Sequence, residues 1–264
     1  MNVLSQIIEK SQKRLEQTKQ LVAFETLRTD ASVKRRSSTP HALRSALQTD
    51  GINVIAEFKR RSPSKGVIRE NADLRSIVRS YEAGGAVALS VLTEEDYFDG
   101  SLADLRAAKA AVSLPALRKD FLLDEYQVYE AAAAGADAVL LIVAALEDEQ
   151  LESLRRLAED ELGMDALVEV HNSEEMDRAA GCGATLVGVN NRDLRTFDVS
   201  LETSVELAAL APREVLLVSE SGLTTAPDLR RLKEHGFSGF LIGESLMRAR
   251  CPEAALRELR NDAR

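Results

Sequence analysis

Short apolar runs recur along the chain after residue 52, and longer mixed segments separate them. The eight runs lie about 20 to 33 residues apart, which is the length of one strand, one helix and their loops. None of them alternates with polar residues, so we predict parallel strands that are buried on both faces. The runs are residues 53–58, 86–92, 115–118, 138–143, 166–170, 185–189, 215–218 and 239–242.

The mixed segments between the runs have the spacing of amphipathic helices. Eight strand–helix units in about 210 residues predict an α/β fold, a (β/α)8 TIM barrel. A doubly wound open sheet is the alternative, but it calls for a glycine-rich nucleotide-binding loop after an early strand, and the sequence has none. The clearest helical segments are residues 74–83, 124–134, 148–162, 173–180 and 227–235.

Residues 1–47 follow a different pattern, which predicts an N-terminal helical extension. Apolar residues at helical spacing among Lys, Glu and Gln indicate an amphipathic helix. A basic segment, residues 34–40, follows, and we interpret it as a solvated face or loop. We expect the extension to pack on a barrel formed by residues 48–264, within a single domain. The apolar positions of the helix are Leu4, Ile7, Ile8, Leu15 and Val22.

Composition and charge limit the kinds of molecule that we expect the protein to bind. The chain has 264 residues, of which 45% are hydrophobic and 29% charged, as expected of one large globular domain. Its net charge of −9 argues against a nucleic-acid surface but leaves room for a local basic pocket. The longest apolar run, residues 138–146, is too short to span a bilayer, and no signal peptide is visible. We therefore expect a cytoplasmic protein with no membrane or nucleic-acid partner.

Polar residues follow most of the predicted strands at their carboxyl ends, where barrels of this kind carry their active sites. Glu57 and Lys59 lie two residues apart at the first strand, so both side chains point to one face. Burying that pair without a purpose is unfavourable, which favours a chemical role. The other clusters are residues 93–100, 118–121, 169–171, 190–193, 219–222 and 242–245.

Lys119 and Glu169 are the candidate proton donor and acceptor. A lysine that is crowded by cations and partly desolvated can act as a general acid, or can stabilise a developing oxyanion. A Schiff-base role for Lys119 is the competing chemical interpretation. An ordinary ion pair with Asp120 or Arg192 is the alternative for either residue. We interpret His171 as a polar residue at a strand end rather than as a catalyst.

Two glycines indicate a phosphate site at the last two strands. Gly222 follows the seventh predicted strand, and Gly243 ends the eighth, just before a helical stretch. Backbone N–H groups at such positions can converge on an anion, and a helix N-terminus adds a favourable dipole. The two cysteines, Cys182 and Cys251, are far apart and have no metal-ligand spacing.

With these residues in hand, the chain resembles the indole-3-glycerol-phosphate synthase family of tryptophan biosynthesis. The matching segments occur in family order over nearly the whole chain, and the first, third and fifth are highly specific. An N-terminal helical extension is also a trait of that family. The segments are AEFKRRSPSKG (56–66), VLTEEDYFDGS (91–101), LRKDF (117–121), VEVH (168–171), VNNRDL (189–194), SESG (219–222) and FLIGESLM (240–247).

The resemblance implies a reaction: cyclisation of 1-(2-carboxyphenylamino)-1-deoxyribulose 5-phosphate to indole-3-glycerol phosphate, with loss of carbon dioxide and water and without cofactor or metal. By the resemblance, Lys119 protonates or polarises the ketone oxygen while the arene carbon attacks. Glu169 and the Glu57–Lys59 pair then move the protons that accompany loss of water. How Lys59 and Lys119 divide the acid roles stays open. The implied catalytic residues are Lys119, Glu169, Lys59, Glu57, Asn190 and Ser221.

The resemblance also implies how the substrate is held. Its phosphate meets Ser221, Gly222, Gly243 and Glu244, with help from Lys59. Its carboxylate meets Ser62, Asn190 and Arg192, with Pro63 as a further binding residue. Its aromatic ring lies against Phe98, Phe121, Leu140, Leu194 and Leu241. We expect a monomer that can associate weakly with other tryptophan-pathway enzymes.

Three rival functions remain. One is another phosphate-binding barrel enzyme of the tryptophan or thiamine pathway, which would share the phosphate loops but not the whole set of charged residues. Another is a Schiff-base aldolase acting through Lys119. The third is a catalytically silent barrel that binds a phosphorylated ligand or a partner enzyme.

Overall fold

Eight parallel strands close into a barrel, in which every strand pairs with a neighbour on each side. The computed structural model describes residues 3–263. The barrel strands are β1 (Val54–Phe58), β4 (Ala88–Leu92), β5 (Ala116–Lys119), β6 (Ala138–Ile142), β7 (Asp165–Val170), β8 (Leu186–Asn190), β9 (Leu216–Glu220) and β10 (Phe237–Ile242). A small antiparallel hairpin, β2 (Arg61–Ser62) and β3 (Gly66–Val67), lies in the loop after β1. The barrel closes through the pairing of β1 with β10 and β4.

Helices connect the strands, and three helices precede the barrel. The predicted (β/α)8 fold with an N-terminal helical segment is thereby confirmed, and the closed strand order excludes the doubly wound alternative. The helices are α1 (Val3–Leu21), α2 (Phe24–Arg35), α3 (Ala42–Leu47), α4 (Leu74–Gly84), α5 (Leu102–Ala111), α6 (Glu125–Ala134), α7 (Asp148–Arg156), α8 (Ser173–Gly181), α9 (Glu202–Ala208), α10 (Ala226–Glu234), α11 (Glu244–Arg248) and α12 (Pro252–Asp262). Within the described residues, no helix has both the length and the apolarity needed to cross a membrane.

Side-chain caps fix where five of the barrel helices begin. Each capping residue accepts a hydrogen bond from a backbone N–H of the first turn, which satisfies a donor that has no partner within the helix. These residues thereby set the lengths of the loops that leave the carboxyl ends of the strands. The caps are Asp73, Ser101, Asp124, Asn172 and Thr225.

Alternation along the strands builds two layers inside the barrel, because every second side chain of a strand points inward. The lower layer is apolar and contains Ile55, Leu117, Leu167 and Val218. Two residues further along the same strands, the upper layer contains Glu57, Lys119, Glu169 and Glu220. The apolar layer therefore supports the charged layer at the carboxyl end of the barrel and keeps water away from its underside.

The N-terminal helices contact both ends of the barrel. Leu43 and Leu47 of α3 are buried within the interior apolar cluster, and the carbonyl of Leu47 accepts a 2.9 Å hydrogen bond from Asn53, just before β1. Helix α1 reaches the opposite end, where the Ser11 hydroxyl donates to the carbonyl of Phe121 at 3.0 Å. The extension thus covers the amino-terminal end of the barrel and also meets the loop after β5.

The predicted N-terminal region departs from the structure at Val22 and at Arg35. Val22 lies beyond the end of α1 and is 37% exposed, because the helix stops one residue earlier. The basic segment 34–40 is not uniformly solvated. The Arg35 side chain is only 7% exposed and donates to the carbonyls of Leu162, Ala136 and Gly163. The long cationic side chain of Arg35 reaches all three carbonyls, so tertiary contact overrides the polarity of the segment at this residue.

The observed strands and helices depart from the predicted ones mainly at their ends. The predicted strand 138–143 ends one residue early, because Val143 begins a short 3₁₀ turn. The third and sixth strands run one residue further, to Lys119 and Asn190, and the seventh runs on to Glu220. The predicted helix 148–162 is α-helical to Arg156 and continues as a π-helical turn. Strand pairing, rather than apolarity, therefore carries these strands into the polar residues at their ends.

Candidate active site

A cavity of about 600 Å³ lies at the carboxyl ends of the barrel strands. Every site residue predicted from the sequence lines it, although these residues come from all eight barrel strands and their loops. They are Glu57, Lys59, Ser62, Pro63, Phe98, Lys119, Phe121, Leu140, Glu169, Asn190, Arg192, Leu194, Ser221, Gly222, Leu241, Gly243 and Glu244. The fold thus brings one predicted set of residues to one opening.

Lys119 is the centre of the charged layer. Its Nζ lies 2.7 Å from Glu169 Oε2 and 3.2 Å from Glu220 Oε2, and its side chain is 14% exposed. Both carboxylates are only 2% exposed. Asp120 is not its partner, because Asp120 pairs with the buried Arg118. Among the described residues, Glu169 pairs with Lys119 and His171 instead of Arg192. The ordinary ion pairs considered from the sequence are therefore replaced by a buried cluster of three groups.

The pKa values of the three groups shift in different directions: those of Lys119 and Glu220 are raised, and that of Glu169 is lowered. Burial alone would lower the pKa of Lys119, but the carboxylates of Glu169, Glu220 and Glu57 outweigh it and raise the pKa well above its usual value. Burial likewise opposes ionisation of Glu169, yet Lys119 and His171 hold its pKa well below the usual range. Burial dominates at Glu220 and raises its pKa to about 7, with Lys119 opposing and Glu169 adding to the rise. One carboxyl group of the cluster is thus firmly ionised, while the other titrates near neutrality.

Glu57 and Lys59 form the second charged pair of the cavity, as the spacing predicts. Lys59 Nζ lies 2.6 Å from Glu57 Oε1, and the Ser90 hydroxyl donates to Glu57 Oε2 at 3.2 Å. The Tyr81 hydroxyl, on α4, donates to the backbone carbonyl of Glu57 at 3.1 Å. Glu57 is therefore held from three sides, and Lys59, with 18% of its side chain exposed, reaches into the cavity.

Asn190 and His171 flank Glu169 on the side away from Lys119. Asn190 Nδ2 donates to Glu169 Oε1 at 3.1 Å, and His171 Nε2 lies 3.3 Å from the same oxygen. The other ring nitrogen of His171 lies 2.9 Å from Glu175 Oε2. Burial would lower the pKa of His171, but the neighbouring carboxylates of Glu169 and Glu175 raise it to about 10. His171 is therefore a cation that contacts Glu169, in addition to being a polar residue at a strand end.

The turn after β9 has the backbone expected of an anion site. Ser221 has φ +66° and Gly222 has φ +79°, so two successive residues are left-handed. A β-carbon at Gly222 would lie 2.5 Å from a methyl carbon of Val199, so only glycine fits there. Concave turns of this kind direct successive N–H groups at an anion. Gly243 follows β10 beside this turn and also lines the cavity.

The rest of the cavity wall is largely apolar. The rings of Phe98 and Phe121 lie 6.3 Å apart between centroids, tilted by 37°. Leu140 and Leu241 form part of the floor, and Leu194 comes from the loop after β8. A planar aromatic group fits a wall of this composition.

Arg192 and Ser62 provide polar groups on the rim. One guanidinium nitrogen of Arg192 donates to the carbonyl of Phe197 at 3.1 Å, which anchors the side chain within the loop after β8. Ser62 is buried in the hairpin and is followed by the exposed Pro63. An anchored guanidinium with further N–H groups is suited to a carboxylate.

Sequence reasoning missed Glu220 as a site residue. Its signal was present, because Glu220 lies two residues after the inward-facing Val218 and ends the seventh barrel strand. The space for its carboxylate comes from Gly188 on β8, where a β-carbon would lie 2.2 Å from Glu220 Oε1. Sequence reasoning also missed that α1 lines the cavity, through Val3, Leu4 and Ile7. No local signal could reveal those contacts, since they depend on how the helix packs.

Comparison with known proteins identifies the family. The model of the family described as indole-3-glycerol phosphate synthase matches residues 4–259. The chain belongs to the indole-3-glycerol phosphate synthase family. It is 46% identical over 261 residues to the indole-3-glycerol phosphate synthase of Carboxydothermus hydrogenoformans, covering 97% of this chain and 98% of that protein. It is 42% identical over 269 residues to the enzyme of the same name from Lachnoclostridium phytofermentans, covering 98% and 99% respectively.

Solved structures support the architecture independently of that family. The barrel is similar to 3-hexulose-6-phosphate synthase from Salmonella typhimurium, with a TM-score of 0.66 at 12% identity over 80% of this chain and 98% of that chain. A likeness at this identity concerns the fold alone.

Proposed function

We propose that this protein converts 1-(2-carboxyphenylamino)-1-deoxyribulose 5-phosphate into indole-3-glycerol phosphate, carbon dioxide and water, as a step of tryptophan biosynthesis. The observation that carries the proposal is the buried Lys119, held protonated by carboxylates at the centre of the cavity. The family membership of the chain supports the same reaction.

Lys119 acts on the ketone of the substrate. As the arene carbon that bears the carboxylate attacks the ketone carbon, a new carbon–carbon bond forms and negative charge develops on the ketone oxygen. A lysine that keeps its proton stabilises that oxyanion and then gives the proton to it, since an alkoxide is more basic than an amine. Loss of carbon dioxide returns an electron pair to the ring, and loss of the new hydroxyl group as water completes the indole.

Carboxyl groups beside Lys119 serve the proton transfers that follow. Departure of the hydroxyl group requires an acid, and formation of the pyrrole double bond requires a base. Glu169 and the Glu57–Lys59 pair take these roles, and Asn190 holds Glu169 in place. The dry position of the carboxylates strengthens each of these interactions.

The cavity has a separate place for each end of the substrate. The left-handed turn at Ser221 and Gly222, with Gly243, Glu244 and Lys59, takes the phosphate. Arg192, Ser62 and Asn190 take the carboxylate, with Pro63 beside them. The aromatic ring packs against Phe98, Phe121, Leu140, Leu194 and Leu241. This arrangement orients the arene carbon toward the ketone, which is the contribution of proximity to the rate.

The rival functions agree less well with the same geometry. A Schiff base requires a neutral amine, and the carboxylates around Lys119 favour its charged form. A silent binding barrel has no chemical use for a buried carboxylate–lysine cluster. Burying these charges is unfavourable for folding, so their presence favours a catalytic role. A barrel with apolar residues at these positions would be at least as stable.

The test is turnover by the full chain without added cofactor. The chain has no Trp, so indole fluorescence arises only from the product. We expect fluorescence to rise when the carboxyphenylamino-deoxyribulose phosphate is added, and no covalent adduct to be trapped on Lys119 by borohydride. Binding of the substrate without any rise would contradict the synthase and favour a silent barrel. A borohydride-stable adduct would favour the aldolase.

We also propose that the active unit is a single chain. Every group named in the cavity comes from one barrel and its own N-terminal helix, so the site needs no residue from a second copy. Size-exclusion chromatography with activity measured on the fractions tests this. Activity confined to fractions of twice the chain mass would contradict it.

A further inference from the structure

Asn191 lies directly behind the turn that follows β9. Its side chain is buried, with the residue only 3% exposed, and its amide group is fully used. Nδ2 lies 2.9 Å from the carbonyl oxygen of Glu220, 3.0 Å from Ser219 Oγ and 3.1 Å from the carbonyl oxygen of Ser221. Oδ1 accepts hydrogen bonds from the backbone N–H and the hydroxyl group of Ser204, at 3.1 and 2.8 Å. Ser204 thus fixes the orientation of the amide, and the amide holds the turn.

Binding two successive carbonyls fixes where the next two N–H groups point. In a trans peptide the C=O and the N–H point in opposite directions. Because the carbonyls of Glu220 and Ser221 point at Asn191, the N–H groups of Ser221 and Gly222 point away from it. Ser221 and Gly222 both line the cavity. Asn191 therefore lies at the carbonyl edge of these two peptides, and their N–H groups lie at the opposite edge.

The left-handed conformation of this turn has to be stabilised by contacts from outside it. Ser221 is left-handed although it carries a β-carbon, and that conformation is unfavourable for residues other than glycine. The backbone of Ser221 can relax by rotating the peptide that joins it to Gly222, which would turn the Gly222 N–H out of the cavity. The hydrogen bond from Asn191 Nδ2 to the Ser221 carbonyl opposes that rotation.

The Glu220 carbonyl has a second donor that does not depend on the side chain. The backbone N–H of Asn191 donates to it at 2.9 Å, as part of the pairing between β8 and β9. Replacing the Asn191 side chain therefore leaves Glu220, and its contact with Lys119, in place. Of the two carbonyls that Asn191 Nδ2 contacts, that of Glu220 keeps a donor, whereas that of Ser221 loses the hydrogen bond from Asn191.

We propose that Asn191 is the positioning residue for the phosphate end of the substrate, because it holds the Ser221–Gly222 peptides with their N–H groups directed into the cavity. It touches no substrate atom itself. The identity of the phosphorylated substrate rests on the proposed function, whereas the anion-binding effect of Asn191 can be measured with inorganic phosphate alone.

The experiment compares wild type with Asn191→Ala in the full chain. We expect the dissociation constant for inorganic phosphate, measured by calorimetry, to rise about tenfold, which is the loss of one hydrogen bond to a charged group. We expect KM for the substrate to rise by a similar factor and kcat to fall less than about threefold, since Glu220 keeps its backbone donor. A merely structural role would lower the melting temperature without this separation of KM from kcat.

Ser204→Ala is the matched control. It removes two buried hydrogen bonds of the same network, those of the Ser204 hydroxyl with Asn191 Oδ1 and with Ser219 Oγ, but leaves the Ser204 N–H on Asn191 Oδ1, so the amide keeps its orientation. We expect its phosphate dissociation constant to stay within twofold of wild type, even though its melting temperature falls. Asn191→Ser is measured in parallel, because its hydroxyl group retains one donor and its effect should be intermediate.

Three outcomes would overturn the assignment. One is a folded Asn191→Ala with a phosphate dissociation constant within twofold of wild type. Another is an equal loss of phosphate affinity in Ser204→Ala. The third, which decides if Asn191→Ala does not fold, is a phosphate dissociation constant in Asn191→Ser that is unchanged from wild type. A wild type that binds phosphate but turns over no substrate, with binding weakened in Asn191→Ala, would contradict the proposed function and leave the role of Asn191 standing.

Discussion

Lys119 shows how a single residue obtains its chemistry from partners on distant strands. Its position at the end of a strand, facing inward, could be predicted from the sequence. Its pairing with Glu169 and Glu220 could not, because β5, β7 and β9 meet only after the barrel has closed. Sequence alone therefore identified a candidate acid, and the closed barrel supplies the carboxylates that keep it charged. The same reason explains why the contact of Glu220 with Lys119 was missed, although the inward-facing position of Glu220 could be read from the sequence.

His171 gives a test of the same cluster through stability. We expect His171→Asn to be more destabilising at pH 6 than at pH 9, by about 2 kcal/mol. The pKa of His171 is raised from 6.5 to about 10 on folding, so its stabilisation is fully present below about pH 6.5. It is lost progressively as the pH rises toward the folded-state value. The contribution of His171 to stability decreases with rising pH because the folded state binds the proton more tightly than the unfolded state does.

The measurement is the difference in free energy of unfolding between wild type and His171→Asn at the two pH values. Taking that difference cancels groups that titrate equally in both proteins. An equal loss at pH 6 and pH 9 would show that His171 is not a cation in the folded protein. His235→Asn, at an exposed position, serves as the control for the substitution itself.

At the scale of elements, the number and type of the barrel strands could be predicted because buried parallel strands leave uninterrupted apolar runs. Their ends could not, since strand pairing carries Lys119 and Asn190 into the sheet although both are polar. Short helices such as α3 and α9 also escaped prediction. A helix of six or seven residues has too few turns to display a period, and its stability comes from packing.

Arg35 ties α2 to the amino-terminal end of the barrel, and its loss should affect stability without affecting catalysis. We expect Arg35→Met to lower the free energy of unfolding by about 3 kcal/mol, because three carbonyl groups each lose a hydrogen bond from the guanidinium group. The carbonyls belong to Ala136, Leu162 and Gly163, which precede β6 and β7 and lie at the end opposite the cavity. KM and kcat should therefore stay close to wild type.

Chemical denaturation with parallel kinetics measures both effects. The control is Arg36→Met, at the next and exposed position, which should change stability by less than about 0.5 kcal/mol. Equal effects of the two substitutions would contradict the assigned role of Arg35. A raised KM in Arg35→Met would show that the two ends of the barrel are coupled.

At the scale of the whole molecule, stability and chemistry lie at opposite ends of the barrel. The amino-terminal end is closed by apolar residues of α3, whereas the carboxyl end carries a buried charged layer. Such a layer is unfavourable for folding on its own. The apolar interior below it and the surrounding helices provide the stability that the active site lacks.

The N-terminal helices divide between these two ends, and two truncations should separate their roles. Removing residues 1–21 deletes α1, whose Leu4 and Ile7 line the cavity, so KM should rise several-fold with a smaller change in kcat. Removing residues 1–47 also deletes α3, which withdraws Leu43 and Leu47 from the barrel interior. Losing two buried leucines costs about 4 kcal/mol or more, and we expect this shorter chain to lose cooperative folding.

Melting curves and steady-state kinetics on both truncated chains check this division. A chain lacking residues 1–21 with the KM of the full-length protein would show that α1 is not part of the site. Cooperative melting of the chain lacking residues 1–47 at the full-length temperature would show that α3 does not support the barrel.

The central claim is that Lys119 is the group that activates the substrate ketone. Its most direct test is indole fluorescence and substrate binding measured together for wild type, Lys119→Gln and the exposed control Lys233→Gln. We predict that Lys119→Gln binds the substrate nearly as well as wild type, since the phosphate and carboxylate are held elsewhere, but loses turnover by about three orders of magnitude or more. Lys233→Gln should match wild type in both. Near-normal kcat in Lys119→Gln would contradict the account.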